Sequence, residues 1–374
     1  MEFALDHGEA ALVERAQQVG EDLAAVAAGG PPGRVNRAVV AGLAESGLLD
    51  TVLGPSGSAM SLCLVRQGLA RSSSEVENAL AIQSLGAWPL RLGSAPALAE
   101  RYLPELAGGT MVAAFALTEP GAGSDAAALE MTAEQDGNGY RLSGRKAFIS
   151  NAPDADLYAV FARTGGERSR GVTAFVVEGG SAGLSGAPVE ILGGHPIGHL
   201  TFDAVLVPGD NVLSDEGAGF RLAMATLDLF RPSVGAMAVG LGEAALGLAI
   251  AHAVSRRAFD RPIGEFQGVS HRLAEMATRL EAARLLVYRA ASLHDGGEGD
   301  ITAASAMAKL YATETAQEVV DGAIQILGAR GLEKGHLLAH LYDVVRAPRI
   351  YEGTSEIQRS IIAKRLLSGG SLPG

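Results

Sequence analysis

The chain reads as an α+β protein, mainly α. A helical N-terminal domain is expected at 1–111, a middle antiparallel β domain at 112–214 and a C-terminal four-helix-bundle domain at 215–374. Three observations predict this layout. Ala- and Leu-rich stretches with helical spacing fill the first hundred residues. Short β-prone runs, punctuated by Gly, Asn, Asp and Pro, follow without the long helical insertions of βαβ units. Long helical patterns with apolar faces then run almost to the C-terminus, too apolar to stand alone.

In order along the chain, Ala10–Ala28, Val35–Leu48 and Ser61–Leu69 are expected helices, separated by Gly-Gly-Pro-Pro-Gly and Gly-Pro-Ser-Gly breaks. Expected strands are Ala113–Leu117, Tyr140–Leu142, Lys146–Ile149, Tyr158–Phe161, Val172–Val177 and Leu200–Val207. Helices are expected again at Gly219–Phe259, Phe266–Leu293, Thr302–Leu327 and Thr354–Leu367. No internal repeat interrupts the series.

Composition excludes several classes. With 374 residues, 48% apolar and 19% charged, the chain is long and apolar enough for two or three domains around large cores. A formal charge of -12 and the lack of a basic stripe argue against nucleic acid. No apolar run is read as long enough to cross a bilayer. The start Met1-Glu2-Phe3-Ala4-Leu5-Asp6 lacks the basic-then-apolar layout of a signal peptide. Cys63 is the single cysteine, so no intrachain disulfide can form. A cytoplasmic enzyme is the expectation.

Several strings invite stronger readings than they support. Gly121-Ala122-Gly123-Ser124-Asp125-Ala126 and Gly240-Leu241-Gly242-Glu243-Ala244-Ala245 both fit a dinucleotide fingerprint. Neither has the parallel βαβ frame such a site needs, and Gly240 and Gly242 read as helix-packing positions. His195/His199 and His336/His340 have metal-chelating spacing, but Pro196 and Gly198 break the first pair and no carboxylate separates the second. Helix-surface or capping roles are expected for them. The four lysines (Lys146, Lys309, Lys334 and Lys364) stand against 26 arginines, a bias read as genome composition.

Glu352 is the main catalytic candidate. Pro348 lies before it and Gly353 directly after, which places it in a break between helices, and Thr354 reads as the cap of the last helix. A carboxylate there beside Ile350 and Tyr351 is either a solvated surface charge, the commoner fate of a loop glutamate, or a general base in a partly apolar pocket.

Four strings in order bear on that choice: Phe115-Ala116-Leu117-Thr118-Glu119-Pro120-Gly121-Ala122-Gly123-Ser124-Asp125, Arg256-Arg257-Ala258-Phe259-Asp260-Arg261-Pro262-Ile263 with Phe266-Gln267, Gln325-Ile326-Leu327-Gly328, and Tyr351-Glu352-Gly353-Thr354. Together they resemble the acyl-CoA dehydrogenase family over about residues 100 to 368. The resemblance implies non-covalent FAD and α,β-dehydrogenation of an acyl thioester to a 2-enoyl thioester. Glu352 would take the α-proton while the β-hydrogen leaves as hydride to the flavin. Some relatives place the base before the arginine of a Leu-Asp-x-x-Arg segment; here Leu227-Asp228-Leu229-Phe230-Arg231 offers Phe230, which cannot act as one.

By the same matching, Phe115, Leu117, Thr118, Gly123 and Ser124 are implied to line the flavin, with Phe148, Ile149 and Ser150 on a strand that usually begins with Trp. Arg256, Phe259, Gln267, Gln325, Gly328 and Ala329 resemble residues that reach a neighbouring subunit's flavin, which implies a tetramer or dimer. Thr354 and Glu356 fall on flavin-contacting positions, and Ser124, Asp228, Arg231 and Gly353 on substrate-contacting ones. An ordinary helix-face ion pair is the competing account of Asp228 and Arg231.

The sequence also departs from the family pattern, most in the N-terminal domain that helps wall the acyl pocket in relatives. Gly54-Pro55-Ser56-Gly57 replaces a longer loop, Asp260 stands where Gly is usual, Asp343-Val344 replace an Arg-Asp pair, and Leu192-Gly193-Gly194-His195 lacks a basic residue. The thioester is therefore expected to be short or modified, carried on coenzyme A or an acyl-carrier protein, with electron-transfer flavoprotein as acceptor. A flavin oxidase or monooxygenase on this scaffold, and a non-catalytic flavin-binding protein, are the rival readings.

Overall fold

A computed structural model describes residues 4–297 and 299–369. Met1 to Phe3, which open the N-terminal reading above, and the outer limits 1 and 374 of the expected domains lie outside the described residues. Contacts divide the chain into two compact units that are discontinuous in sequence. One comprises Leu23–Gly57 and Asn78–Leu227; the other comprises Met1–Asp22, Ser58–Glu77 and Asp228–Gly374.

The first unit holds the end of α1 (His7–Ala28), then α2 (Arg37–Glu45), α3 (Leu48–Leu53), most of α5 (Ser74–Leu92), α6 (Pro96–Ala107) and a seven-stranded sheet. Asn36 starts α2 by accepting a hydrogen bond from the Val39 N–H. Gln83 is buried in α5 and fully used. Its amide donates to the Leu106 and Met111 carbonyls at 3.0 and 2.8 Å, and its oxygen accepts from the Ala113 N–H at 2.9 Å. That contact fixes where the first strand begins.

The strands are β1 (Ala113–Ala116), β2 (Thr132–Asp136), β3 (Gly139–Ser150), β4 (Leu157–Arg163), β5 (Val172–Glu178), β6 (Leu184–Pro188) and β7 (Ile197–Pro208). They run in the order β1-β4-β2-β3-β7-β6, with β5 also on β4. The pairs β2–β3, β3–β7, β4–β5 and β6–β7 are antiparallel, as expected, but β1 pairs β4 in parallel from Ala113↔Leu157 to Ala116↔Val160, and β2 meets β4 in parallel at Thr132↔Arg163. The chain between β1 and β4 is long enough for a parallel return, although it carries strands rather than a helix. β4 is buried over Leu157–Ala162, the continuous apolar run of a strand covered on both faces. The two expected strands Tyr140–Leu142 and Lys146–Ile149 are one, β3, with register shifts against β7.

The second unit is helical: α4 (Ala59–Ser72), the first residues of α5, α7 (Gly219–Ser255) from Asp228 onward, α8 (Gln267–Gly296), α9 (Ile301–Leu327), α10 (Leu337–Val344) and α11 (Ser355–Leu367). Asp295 accepts from the Ala59 and Met60 N–H groups at 2.8 and 2.9 Å, a carboxylate set on the positive end of α4. Asp300 caps α9, and alanine is the commonest residue on its buried face. The expectation that no apolar run could span a bilayer is corrected for α7, which is long and apolar enough; 61% of its most apolar window is buried inside the protein. Its composition is that of a bundle core.

The helix expected to continue to Phe259 stops at Ser255, and a hairpin follows: β8 (Arg257–Ala258) and β9 (Arg261–Pro262). Phe259 and Asp260 form its turn with φ of 52° and 66°. A two-residue hairpin turn favours positive φ at both positions, and Asp tolerates it better than most residues, which explains how Asp260 replaces Gly.

Candidate active site

In the helical unit the site is built around a backbone break. A 3₁₀ turn at Ala347–Arg349 ends before Ile350, and α11 begins at Ser355 with Thr354 accepting from the Ile357 N–H. Glu352 and Gly353 lie between them with φ of 52° and 92°. A left-handed glutamate is costly, so its surroundings must hold it there. Glu314 of α9 ties both sides of the break, pairing with Arg349 at 2.8 Å and accepting from Ser355 Oγ at 2.6 Å.

Three buried side chains from three helices then clamp the break itself. Arg231 Nε of α7 donates to the Glu352 carbonyl at 3.3 Å. Lys309 Nζ of α9 donates to the Gly353 carbonyl at 2.6 Å. Gln358 Nε2 of α11 donates to both carbonyls, at 3.2 and 3.0 Å. Arg231 also forms an ion pair with Asp228 at 2.5 Å, and Asp228 accepts from Thr302 Oγ1 at 2.7 Å. The Asp228–Arg231 pair is thus an i,i+3 helix pair and at the same time part of the support under Glu352.

The Glu352 carboxylate has a buried Oε2 with no hydrogen-bond partner. Burial pushes its pKa above the usual carboxylate range; the charges of Arg66, Lys309 and Arg231 pull it down, and Glu77 pushes it up. Burial likewise draws Lys309 down to about 8, against the pull of Glu352. An unpaired carboxylate whose pKa is raised, yet held ionisable by nearby cations, is suited to accept a proton.

Behind it lies a second buried group of charges. Arg66 of α4 is 2% exposed and pairs with Glu77 of α5, 0% exposed, at 2.5 Å. Arg66 Nη1 donates to Ser233 Oγ at 2.7 Å and Nη2 reaches Met237 Sδ at 3.7 Å. The Tyr351 hydroxyl meets the same sulfur at 3.6 Å. Glu77 Oε2 is buried without a partner. Phe230, at the other position where a base is found in some relatives, is wholly buried.

The implied flavin residues of this unit divide between two places. Thr354 and Glu356 open α11, while Arg256, Phe259, Gln267, Gln325, Gly328 and Ala329 are all exposed, Phe259 by 88%. Phe259 packs edge-on against Phe266 at 6.0 Å, with Arg261 stacked over the Phe266 ring.

The sheet unit carries the remaining candidates. Leu117 and Thr118 leave β1 beside Glu119, whose carboxylate accepts from the Glu130 and Met131 N–H groups and pairs with Lys146 at 2.8 Å. Lys146, 0% exposed, also donates to the Leu117 and Phe161 carbonyls at 3.0 and 2.6 Å. Burial draws it down to about 8 while Glu119 opposes. Phe115 packs on Phe161 at 4.9 Å. Gly123 and Ser124 are exposed in the following turn. Phe148 has φ of 53° and an exposed ring, Ile149 points into the core, and Ser150 is half-buried. An exposed aromatic held at a strand irregularity, next to open glycines and a pinned strand end, fits a planar cofactor with a polar tail.

His199 lies on β7, accepting from the Phe148 N–H at 3.2 Å, and His195 in the turn before it, so the helix-surface expectation is corrected for both. The Phe148 N–H and ring face His199, and no group of three metal-ligating side chains occurs among the described residues. His336 does cap α10, and His340 pairs with Glu75 at 3.1 Å.

Sequence reasoning missed Arg66, Glu77, Lys309 and Gln358. Arg66 interrupts the apolar run Leu62-Cys63-Leu64-Val65, and Lys309 is one of only four lysines, which were the signals available.

Comparison with known proteins bears on the family and the fold. Residues 114–205 match the acyl-CoA dehydrogenase middle domain, and residues 217–367 match the acyl-CoA dehydrogenase C-terminal domain. The chain is 36% identical over 344 residues to a cyclohexane-1-carbonyl-CoA dehydrogenase of Geobacter metallireducens, covering 90% of each. It is 39% identical over 320 residues to the caffeyl-CoA reductase-Etf complex subunit CarC of Acetobacterium woodii, covering 84% of each. Among solved structures, butyryl-CoA dehydrogenase from Megasphaera elsdenii superimposes with a TM-score of 0.92 at 33% identity, over 98% of this chain and 100% of that one. PigA with FAD and proline superimposes with a TM-score of 0.93 at 30% identity, over 99% and 100%.

Proposed function

Since the chain belongs to the acyl-CoA dehydrogenase family and is an oxidoreductase acting on CH–CH groups, we propose that it desaturates a short or modified acyl thioester between Cα and Cβ, with Glu352 as the base. The observation that carries this reading is the Glu352 carboxylate itself: unpartnered at Oε2, raised in pKa by burial, and fixed by a clamp that leaves it free to accept a proton. The α-proton of a thioester is weakly acidic, so the base needs a raised pKa and the developing enolate needs donors at its oxygen.

FAD is the proposed cofactor, supported by the FAD-bound relative of the same fold. When bound it supplies the acceptor for the β-hydride. Phe115, Leu117, Thr118, Gly123, Ser124, Phe148, Ile149 and Ser150 would hold it from the sheet unit, Ile149 through its backbone because its side chain is buried. Thr354 and Glu356, at the start of α11, are assigned to the flavin by the family resemblance alone. Asp228, Arg231 and Gly353 support Glu352 by their hydrogen bonds, so a contact with substrate would add to that task. Ser124 is exposed and available to the thioester.

The exposed Phe259, Gln325, Gly328 and Ala329 support assembly into a tetramer or dimer in which this surface meets a neighbour. Electron-transfer flavoprotein is the proposed acceptor, by analogy with the Etf-complex relative. A cytoplasmic location completes the reading.

Incubation of the FAD-loaded protein with coenzyme A and acyl-carrier-protein thioesters under nitrogen, with an artificial acceptor, tests it. The expected product is a 2-enoyl thioester lighter by two hydrogens. A product containing oxygen, formed only in air, would instead support the oxidase or monooxygenase alternative.

A further inference from the structure

The buried Arg66–Glu77 pair is not needed to hold Glu352 in place: the clamp on that backbone is made by Arg231, Lys309 and Gln358. Nor is it an efficient way to stabilise a core, because taking two charges out of water costs more than a single ion contact returns. It is also incompletely satisfied. Glu77 Oε2 has no donor, and Arg66 Nη2 has only the thioether of Met237, a weak acceptor at 3.7 Å. A buried carboxylate oxygen without a partner is an unusual feature that asks for a ligand.

The pair sits beside the base. Met237 Sδ is shared between Arg66 and the hydroxyl of Tyr351, the residue preceding Glu352. The charges facing Glu352 are Arg66 of α4, Glu77 of α5, Arg231 of α7 and Lys309 of α9. A purely alkyl acyl group bound there would leave the free oxygen of Glu77 and the free donor capacity of Arg66 unmet.

We propose that the Arg66–Glu77 pair is a specificity site for a neutral hydroxyl on the acyl group, which donates to Glu77 Oε2 and accepts from Arg66. This assignment deepens the dehydrogenase reading and rests on it. The pair itself selects among polar groups. An ammonium would suit Glu77 but meet Arg66, and a carboxylate would suit Arg66 but meet Glu77; a hydroxyl satisfies both without adding charge. A site built to hydrogen-bond a ligand hydroxyl discriminates strongly against the analogue that lacks it.

The test uses FAD-loaded full-length protein and four acyl-CoA thioesters of matched length, ending in methyl, hydroxyl, ammonium or carboxylate. Anaerobic flavin bleaching gives reactivity, and calorimetry with the matching non-oxidisable thioethers gives affinity. The hydroxyl compound is expected to bleach and bind at least about tenfold better than the methyl one. Glu77→Gln, which leaves Arg66 uncompensated, should move the preference to the carboxylate; Arg66→Met should move it towards the ammonium. Equal or better binding and bleaching by the methyl compound overturns the hydroxyl assignment and leaves dehydrogenation standing. A Glu77→Gln effect equal on all four compounds also overturns it. If the thioethers bind with the expected preference but no thioester bleaches the flavin, the dehydrogenase reading fails while the specificity site survives.

Discussion

Glu352 owes its properties to residues far away in sequence. Its backbone is held left-handed by two cations and one amide, and its carboxylate feels the same cations through space. Lys309 is the most informative member to change, because it combines a hydrogen bond to Gly353 with a charge that favours ionised Glu352. The rate of flavin reduction should rise with pH as Glu352 ionises. Removing the cation in Lys309→Met raises the Glu352 pKa further, so the acid limb of the pH profile should move to higher pH, and Lys309→Arg should restore most of its position. A rate loss equal at every pH would mean that Lys309 acts by packing alone. Glu352 was legible in the sequence because its signals are local: a proline before it, a glycine after it and a threonine cap. Its supporting residues were not, since α4, α5, α7, α9 and α11 converge only through tertiary packing. The lysine scarcity, read as genome composition, concealed that Lys146 and Lys309 are both wholly buried.

At the scale of elements, α7 shows how pattern and packing divide the explanation. A Cβ at Gly240 would lie 2.4 Å from the Gln67 carbonyl oxygen and 2.9 Å from Ala70 Cβ, whereas one at Gly247 would meet nothing within 4 Å. Alanine in a helix interior gains about 0.5–1 kcal/mol over glycine, but overpacking against backbone costs about 1–3 kcal/mol. Gly240→Ala should therefore lower the thermal midpoint and Gly247→Ala raise it, as calorimetry of the two variants would show. The packing role of Gly240 was readable from the sequence, but which glycine was indispensable was not. The bounded helices α1, α2, α4, α7, α8, α9 and α11 were legible to within a few residues of their ends because their apolar faces repeat, whereas α3, α5, α6 and α10 were given no bounds of their own. The sheet was less so: β2, β6 and the β8–β9 hairpin lack strong alternation, and the parallel pairing of β1 with β4, as in Ala113↔Leu157, joins residues far apart in sequence that no local pattern encodes.

For the whole molecule, the layout of helix, sheet and helix was visible in the linear texture, but the compact units were not, because each gathers separate stretches of chain. The proposed binding of FAD should also stabilise the folded protein. A ligand that binds only the folded protein stabilises it by about 2.7 kcal/mol at a hundred times its Kd. The thermal midpoint of cofactor-stripped protein should climb steadily with added FAD, and Phe148→Ala should shift that dependence to higher FAD concentration. A midpoint indifferent to FAD would argue against the cofactor assignment.

The most direct test of the account is anaerobic stopped-flow bleaching of the bound flavin by acyl thioesters, comparing wild type with Glu352→Gln. General-base catalysis contributes about 10²–10⁴-fold, so the variant should bind FAD normally and bleach more slowly by that factor. Bleaching at the wild-type rate in Glu352→Gln would contradict the account, because the α-proton would then have another acceptor.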